Sequence, residues 1–466
     1  MEWARSLSEP KLVRGLGLLE ATTIIVGTVI GSGIFVAPSI MATYIQSPGL
    51  MMGLWLLGGA LTLCGALAYA ELSSAMPRAG GQYVFLSESF GPLSGFLFGW
   101  TYLMAINTGV VAAVAVAFAK YLGVFVPGIG EGTTLFQIGG YSFSSAQAVA
   151  LGVIAFLTWL NTTGLKAGAA VQNIFTIAKF AAIVVLVVVA VLVGKGSLSN
   201  FQPVLSLELA PAGVTLGLFA ALAVAMSKAL FAYDAWYTVA FASEEMKNPE
   251  RDLVRSLIFG NLGVTFAYCA AVGVYLYMVP MGEMAGVKDG RIAAEAAQRI
   301  MGGAGLAFIT IAILVSTFGC ANGLILTGAR VTYAMARDRL FFTSAAKIHP
   351  TYRTPANALI IQGGIAAALT LTGTYSDLLT LTAFSSLLFN TLTVAGLFVL
   401  RRTQPNLPRP YRAWGYPVLP ALFVAVSAFF LVFILLGDPR NSGLGLILTA
   451  IGVPFYLRWR GRPAAA

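Results

Sequence analysis

The chain has 466 residues, 58% of them hydrophobic and 10% charged, with 28 Lys and Arg against 18 Asp and Glu for a net charge of +10. Soluble globular domains carry roughly a quarter of their residues as charges, so this composition excludes them and leaves a polytopic α-helical membrane protein. The apolar runs lack period-two alternation, which argues against an outer-membrane barrel. The basic residues fall in short gaps between those runs, so membrane topology accounts for the charge and no nucleic-acid partner is expected.

Residues 1–15 are polar and charged and show no small-residue cleavage site, so no removable signal peptide is expected. Apolar runs then predict about twelve spans, near 16–42, 50–75, 91–126, 146–162, 170–194, 213–243, 254–280, 303–335, 356–374, 378–400, 418–437 and 443–458. Arg5, Lys11 and Arg14 precede the first span. The even-numbered gaps carry Arg78, Lys166, Lys247, Arg251, Arg255, Arg337, Arg339, Lys347, Arg353, Arg401, Arg402, Arg409 and Arg412, and the tail carries Arg458, Arg460 and Arg462. Gaps 43–49, 127–145 and 375–377 have no Lys or Arg; gap 281–302 is the exception, with Lys288, Arg291 and Arg299 beside Glu283, Asp289 and Glu295. This asymmetry predicts an even number of spans in the plasma (inner) membrane, with both termini cytoplasmic. Cys64, Cys269 and Cys320 lie inside apolar runs and read as small core residues without a disulfide. The single histidine, His349, makes no metal site, and no cofactor is expected. The connector 76–90, with Pro77 and the pair Gly80–Gly81, reads either as a surface link at the headgroups or as a gating element.

In the first span, Gly27-Thr28-Val29-Ile30-Gly31-Ser32-Gly33-Ile34-Phe35 places three glycines and a serine where a helix should be strongest. Two readings stand. Gly27 and Gly31 form a GxxxG packing face, or the helix breaks and lines a protected site with its free backbone groups. The sixth span holds Lys228 and Asp234 within Ser227-Lys228-Ala229-Leu230-Phe231-Ala232-Tyr233-Asp234. Charges at membrane depth mark function by default. Spaced six apart, these two share no face of a continuous helix, but an unwound Tyr233–Asp234 would let both face one cavity. The alternative is an ion pair that fixes packing. Two interrupted spans in matching halves point to an inverted-repeat transporter with a midplane site. Lys179, in the fifth span, either snorkels to the headgroups or places an ammonium where a coupling cation would sit. Ser316 and Thr317 of the eighth span either bond back into their own helix or help to hold Lys179. Asn107, Asn390 and Glu71 read as interhelical hydrogen-bonding groups.

Val26–Phe35, Pro77-Arg78-Ala79-Gly80-Gly81-Gln82-Tyr83, Phe231-Ala232-Tyr233-Asp234-Ala235-Trp236 and Glu244-Glu245-Met246-Lys247-Asn248-Pro249 resemble the amino acid–polyamine–organocation superfamily, and within it the L-amino-acid transporter family. The resemblance runs in order to about Leu400. It implies an all-α fold of two inverted five-helix repeats with broken first and sixth helices, assigned to 16–194 and 195–400. Residues 401–466 then hold two further helices and a cytoplasmic tail. It also implies alternating access, with spans 1, 2, 6 and 7 moving against a scaffold, and amino acid substrates that are mostly exchanged. By the family's pattern, the substrate carboxylate sits on Gly31, Ser32, Gly33 and Ile34. Its amino group sits on carbonyls near Val29, Ile30, Phe231, Ala232 and Asp234. Phe231 is the gate, Lys179 takes the place of a sodium ion near Gly27, and Ser316 and Thr317 adjoin it. Two departures matter. Loop 121–145 lacks the cysteine that joins a heavy subunit in eukaryotic members, so no such partner is expected beyond substrate and lipid. Lys228 stands where the family usually has a small or neutral polar residue, and it is a further candidate for contact with substrate.

The leading expectation is a sodium-independent exchanger of neutral L-amino acids. The alternative is a proton-coupled symporter, for cationic amino acids or polyamines among others. A membrane-embedded enzyme would need a clustered acid–base or metal constellation, and a channel a polar pore or filter. Neither pattern is present in the sequence.

Overall fold

The computed structural model describes residues 12–460 apart from 140, 288–289 and 373–374. Arg5, Lys11, Lys288 and Arg462 therefore lie outside the described residues. The helices are α1 (Leu18–Val29), α2 (Gly33–Ala42), α3 (Pro48–Ala75), α4 (Gln82–Phe90), α5 (Pro92–Thr101), α6 (Asn107–Leu122), α7 (Ser145–Thr162), α8 (Leu165–Val193) and α9 (Leu218–Tyr233). They continue as α10 (Val254–Met278), α11 (Ile292–Met301), α12 (Gly303–Arg337), α13 (Ala356–Thr372), α14 (Tyr375–Thr403), α15 (Val418–Gly437) and α16 (Pro439–Trp459). Among the described residues, 11 helical segments are long and apolar enough to cross a membrane. The span expected at 356–374 appears as α13, a shorter apolar helix of 17 residues. The fold is that of an all-α polytopic membrane protein.

Local chemistry sets several helix ends. Ser47 accepts the Leu50 amide at 3.2 Å, and Pro48 follows at the first helical position, where a missing N–H costs nothing. At α7, Ser144 and Gln147 form a capping box. A hairpin of β1 (Thr134–Ile138) and β2 (Tyr141–Ser144), paired antiparallel, leads into that cap. The third span joins α5 to α6 through a π-helical turn at Tyr102–Ile106.

The first and sixth spans lie side by side and antiparallel, pinned at both ends. At one end the amides of Gly15 and Leu16 donate to the Glu245 carbonyl at 2.9 and 3.1 Å, and Lys247 N–H returns to Leu16 at 2.9 Å. At the other end Ala210 N–H donates to the Tyr44 carbonyl at 3.2 Å. The first of these ends is the basic face and the second carries the hairpin. Around this pair, α1 and α3 pack on α10 and α2 packs on α9, while α6 and α8 pack on α12. The breaks of the first and sixth spans meet where these two groups face each other.

The middle of the connector, 79–86, is buried, with Ala79 and Gln82 fully enclosed, while Arg78, Glu88 and Phe90 stay exposed. Gly80 donates to the Phe241 carbonyl at 3.1 Å, and Ser243 to the Arg78 carbonyl at 2.9 Å. Gly81 has φ of +40°, and a Cβ there would meet the Ala240 backbone at 2.8 Å. The glycine pair is thus required by a left-handed turn and by close approach. Tyr83 donates to Asp338 at 2.8 Å. Burial, and then the neighbouring Asp338 charge, push its phenol upward, so it remains a donor.

Two sets of buried charges are paired. Arg330 and Glu245 form a fully buried bidentate pair at 2.8 and 2.9 Å. Glu71 at the end of α3 accepts from Arg401 at 2.9 and 2.6 Å, from the Ala413 amide at 2.6 Å, and lies 3.2 Å from Arg409. That cluster fastens the link between α14 and α15 to α3.

Candidate substrate site between two broken helices

The first span is broken. α1 ends at Val29, Ile30 leaves the helical region with ψ of 85°, and α2 starts at Gly33. A helix C-terminus leaves carbonyls without intrahelical partners, and side chains from three other helices receive them. Lys179 Nζ donates to Gly27 O at 2.8 Å, Ile30 O at 2.8 Å and Ser316 O at 3.0 Å. Ser316 Oγ donates to Ile30 O at 2.8 Å. Cys320 Sγ lies 3.0 Å from Thr28 O. Tyr268 OH of α10 reaches both Val29 O, at 2.8 Å, and Ala232 O, at 2.9 Å, and so joins the two broken ends.

Lys179 is 1% exposed and lies at the middle of the 29-residue α8. The helix begins at Leu165, earlier than the run from 170 suggests, which puts the ammonium too deep to snorkel. Its three protons meet three carbonyl oxygens, so the charge is fully solvated by backbone. The negative end of the α1 dipole faces it. Gln172 and Thr176, two turns and one turn earlier on α8, reach Thr23 O at 3.4 and 3.1 Å and continue the grip along α1.

The sixth span breaks at Asp234, whose ψ of 170° is extended, followed by Ala235 with φ of +70° and a 3-10 segment from Thr238 to Glu245. Asp234 Oδ1 accepts from Ser386 Oγ at 2.6 Å. Ser386 also meets Tyr237 OH at 2.9 Å and accepts from Asn390 at 3.3 Å. Asn390 in turn accepts from Tyr69 at 2.7 Å and from Gln82 at 3.3 Å. Asp234 therefore starts a polar chain that reaches the buried connector.

The two breaks enclose a small cavity of about 20 Å³, lined by Val29, Gly31, Ser32, Gly33, Phe231, Ala232 and Asp234 together with Thr28, Val110, Val114, Ala235 and Cys320. It holds about one water. A Cβ on Gly33 would meet Ala232 Cβ at 2.7 Å, and one on Gly31 would meet Cys320 Sγ at 3.0 Å. The breaks have closed on each other in this conformation. At the start of α2, the first-turn amides and the positive dipole end form an arrangement that can receive an anionic group.

Most of the residues expected in the site therefore gather in one place. Gly27 sits behind it, with its α-carbon face against Gln172 and Thr176 and its carbonyl on Lys179. Ile30 and Ile34 are fully buried beside the break. Thr317 is different: its hydroxyl bonds back to Ile313 at 2.8 Å, so it turns into its own helix while Ser316 faces Lys179. Lys228, the further candidate for contact with substrate, lines neither the cavity at the breaks nor the neighbouring one that Asp234 shares with Ser386 and Asn390. The charge acting on it is Asp438, on the link between α15 and α16. The helix runs unbroken from Leu218 to Tyr233, which leaves residue 228 about a turn and a half from the break, at a spacing that makes it no helix neighbour of Asp234. Tyr268 and Arg330 are the residues sequence reading missed. Tyr268 lies in an apolar run with no charge to mark it. Arg330 had a signal, as an arginine inside the span expected at 303–335.

A family model described as amino acid permease matches residues 16–455. The chain belongs to the amino acid permease family. Its relatives place it in the amino acid–polyamine–organocation superfamily and make it similar to transporters of the L-amino-acid type. The permease is 31% identical to the serine/threonine exchanger SteT of Bacillus subtilis over 97% of this chain and 98% of that one. It is 29% identical to the Asc-type amino acid transporter 1 of Homo sapiens, over 97% and 84% of the two chains. It is 31% identical to the large neutral amino acids transporter small subunit 2 of Homo sapiens, over 97% and 82%. The permease is a multi-pass membrane transporter, not an enzyme.

Proposed function

We propose that this permease is a sodium-independent exchanger of small neutral L-amino acids. The observation that carries the reading is the Lys179 ammonium, held by Gly27, Ile30 and Ser316 carbonyls directly behind the Gly31–Ser32–Gly33 break. A fixed cation in a carbonyl cradle leaves no room there for a sodium ion, so the cycle runs without one. A substrate carboxylate takes the α2 N-terminus, and its ammonium takes the carbonyls at the ends of α1 and α9. Phe231 covers the seat. Small side chains suit the narrow walls formed by Val110, Val114 and Cys320. The serine/threonine exchanger among the relatives supports the same substrate class.

The halves of the molecule, 16–194 and 195–400, act as the two inverted repeats, with 401–466 outside them. The basic face lies in the cytoplasm by the positive-inside rule, with both termini there. The permease works without a disulfide-linked partner, because loop 121–145 offers no cysteine.

A thermal-shift series with the twenty amino acids tests the substrate assignment. A ligand at 100 times its dissociation constant stabilises the folded state by about 2.7 kcal/mol. L-serine, L-threonine and L-alanine are expected to raise the melting temperature, and D-enantiomers and arginine are not. Stabilisation by arginine or a polyamine alone would contradict it.

A second reading rests on Asp234, a carboxylate placed at the break and tied to a polar chain toward the basic face. In it the permease is a proton-coupled symporter. Uptake into empty vesicles driven by a pH gradient alone would establish that reading and remove exchange.

A further inference from the structure

A large cavity lies apart from the helix breaks. It measures about 620 Å³ and opens on the hairpin face. That volume is within the range of small-molecule sites. Its floor is α2, through Val36 and Ile40. Its walls carry Lys120 and Tyr121 from the end of α6, Glu131 from the following loop, and Arg291 from the start of α11. Lys120 and Glu131 pair at 2.9 Å while 33% and 51% exposed. The Arg291 guanidinium stands 5.5 Å above the Tyr121 ring.

Two features say what this space takes. The first is charge: among the described residues, two cations and one anion line a single cavity with ample room for an amino acid. An exposed ion pair is weak, so Lys120 and Glu131 exchange each other for the two charges of a zwitterion at small cost. The second is position. Ile40 lines this cavity, Phe231 and Val110 line the cavity at the breaks, and all three pack together with Ala383 in one apolar cluster. The two cavities therefore lie in series along α2, divided by that plug.

We infer that the outer cavity is a second binding site for a zwitterionic α-amino acid, in which Arg291 and Lys120 take the carboxylate and Glu131 the ammonium. It loads the site at the breaks when the Phe231 plug moves. This rests on the reading of the chain as an amino acid exchanger.

The test places a reporter in the outer cavity. Ile129 lines it, and an Ile129→Cys variant is treated with a membrane-impermeant thiosulfonate, with the parent protein as control for Cys64, Cys269 and Cys320. L-serine at millimolar concentration is expected to slow the modification at least fivefold. Adding Glu131→Gln or Arg291→Gln is expected to remove this protection while L-serine still raises the melting temperature through the site at the breaks. The inference is overturned if L-serine gives no protection, if protection survives both substitutions, or if the substitutions abolish protection and thermal stabilisation together. Absence of thermal stabilisation by every amino acid in the unsubstituted protein would instead overturn the exchanger reading.

Discussion

Lys179 is the residue on which the site turns. Truncating it to alanine removes three charge-assisted hydrogen bonds and takes the side-chain donor from Gly27 O, while Ile30 O keeps Ser316 Oγ and Ser316 O keeps its place in the α12 ladder. Each unsatisfied buried acceptor costs about 1–3 kcal/mol. Because Gly27 O and Ile30 O belong to the broken end of α1, Lys179→Ala is expected to lower the exchange rate at least tenfold while L-serine still stabilises the protein; an unchanged rate would make the lysine a packing group. Gly33 is constrained differently. A valine there meets Ala232 and fills the carboxylate seat, so Gly33→Val is expected to abolish stabilisation by L-serine in a protein that still elutes as a single species. These two positions were legible in the sequence because their chemistry is improbable in lipid: glycines in mid-span and a lysine in an apolar run. Lys228 was just as improbable, yet its direction depends on where α9 ends and on Asp438, far along the chain. Thr317 and Ser316 are neighbours of similar chemistry, and only the rotation of α12 tells them apart.

Among the elements, the broken helices line the candidate site and the elements around them hold the breaks in register. Tyr268 gives one hydroxyl to carbonyls on both broken spans. Tyr268→Phe leaves at least one of those carbonyls unpaired, and a stability loss of about 1–3 kcal/mol is expected, measurable as a lower melting temperature together with slower exchange. At the basic face, Glu245 closes the 3-10 end of the sixth span onto Arg330 of α12. Breaking a buried pair from one side costs about 3–5 kcal/mol, so Arg330→Met is expected to lower the melting temperature sharply. The double variant Arg330→Met, Glu245→Gln should recover part of the loss, since it leaves no buried lone charge; a double variant no better than the single one would show that the pair is not coupled. Existence and order of the spans followed from hydropathy; a break in the first span was one of two readings of the glycines at 27, 31 and 33. Element ends followed less well. The start of α8 at Leu165 lies among Lys166 and small residues that lower local hydropathy. The hairpin at 134–144 is too short and exposed to give an apolar signal.

For the whole molecule, the sequence carried the all-α architecture because a bilayer admits little else for so apolar a chain. The antiparallel pairing of the first and sixth spans needs backbone contacts between residues 15–16 and 245–247, which no local pattern announces. The same holds for the outer cavity, whose charges come from three separate segments. What the assembled molecule describes is a small closed cavity between two helix breaks, a fixed ammonium behind it and a large charged vestibule in front. The central claim, exchange without sodium, is tested most directly by counterflow in proteoliposomes. Vesicles loaded with labelled L-serine are diluted into buffer with or without unlabelled L-serine, in sodium or in choline salts. The expected result is that label leaves at least tenfold faster when external L-serine is present, equally in both salts. Release at the same rate into amino-acid-free buffer, or release that requires sodium, would contradict it.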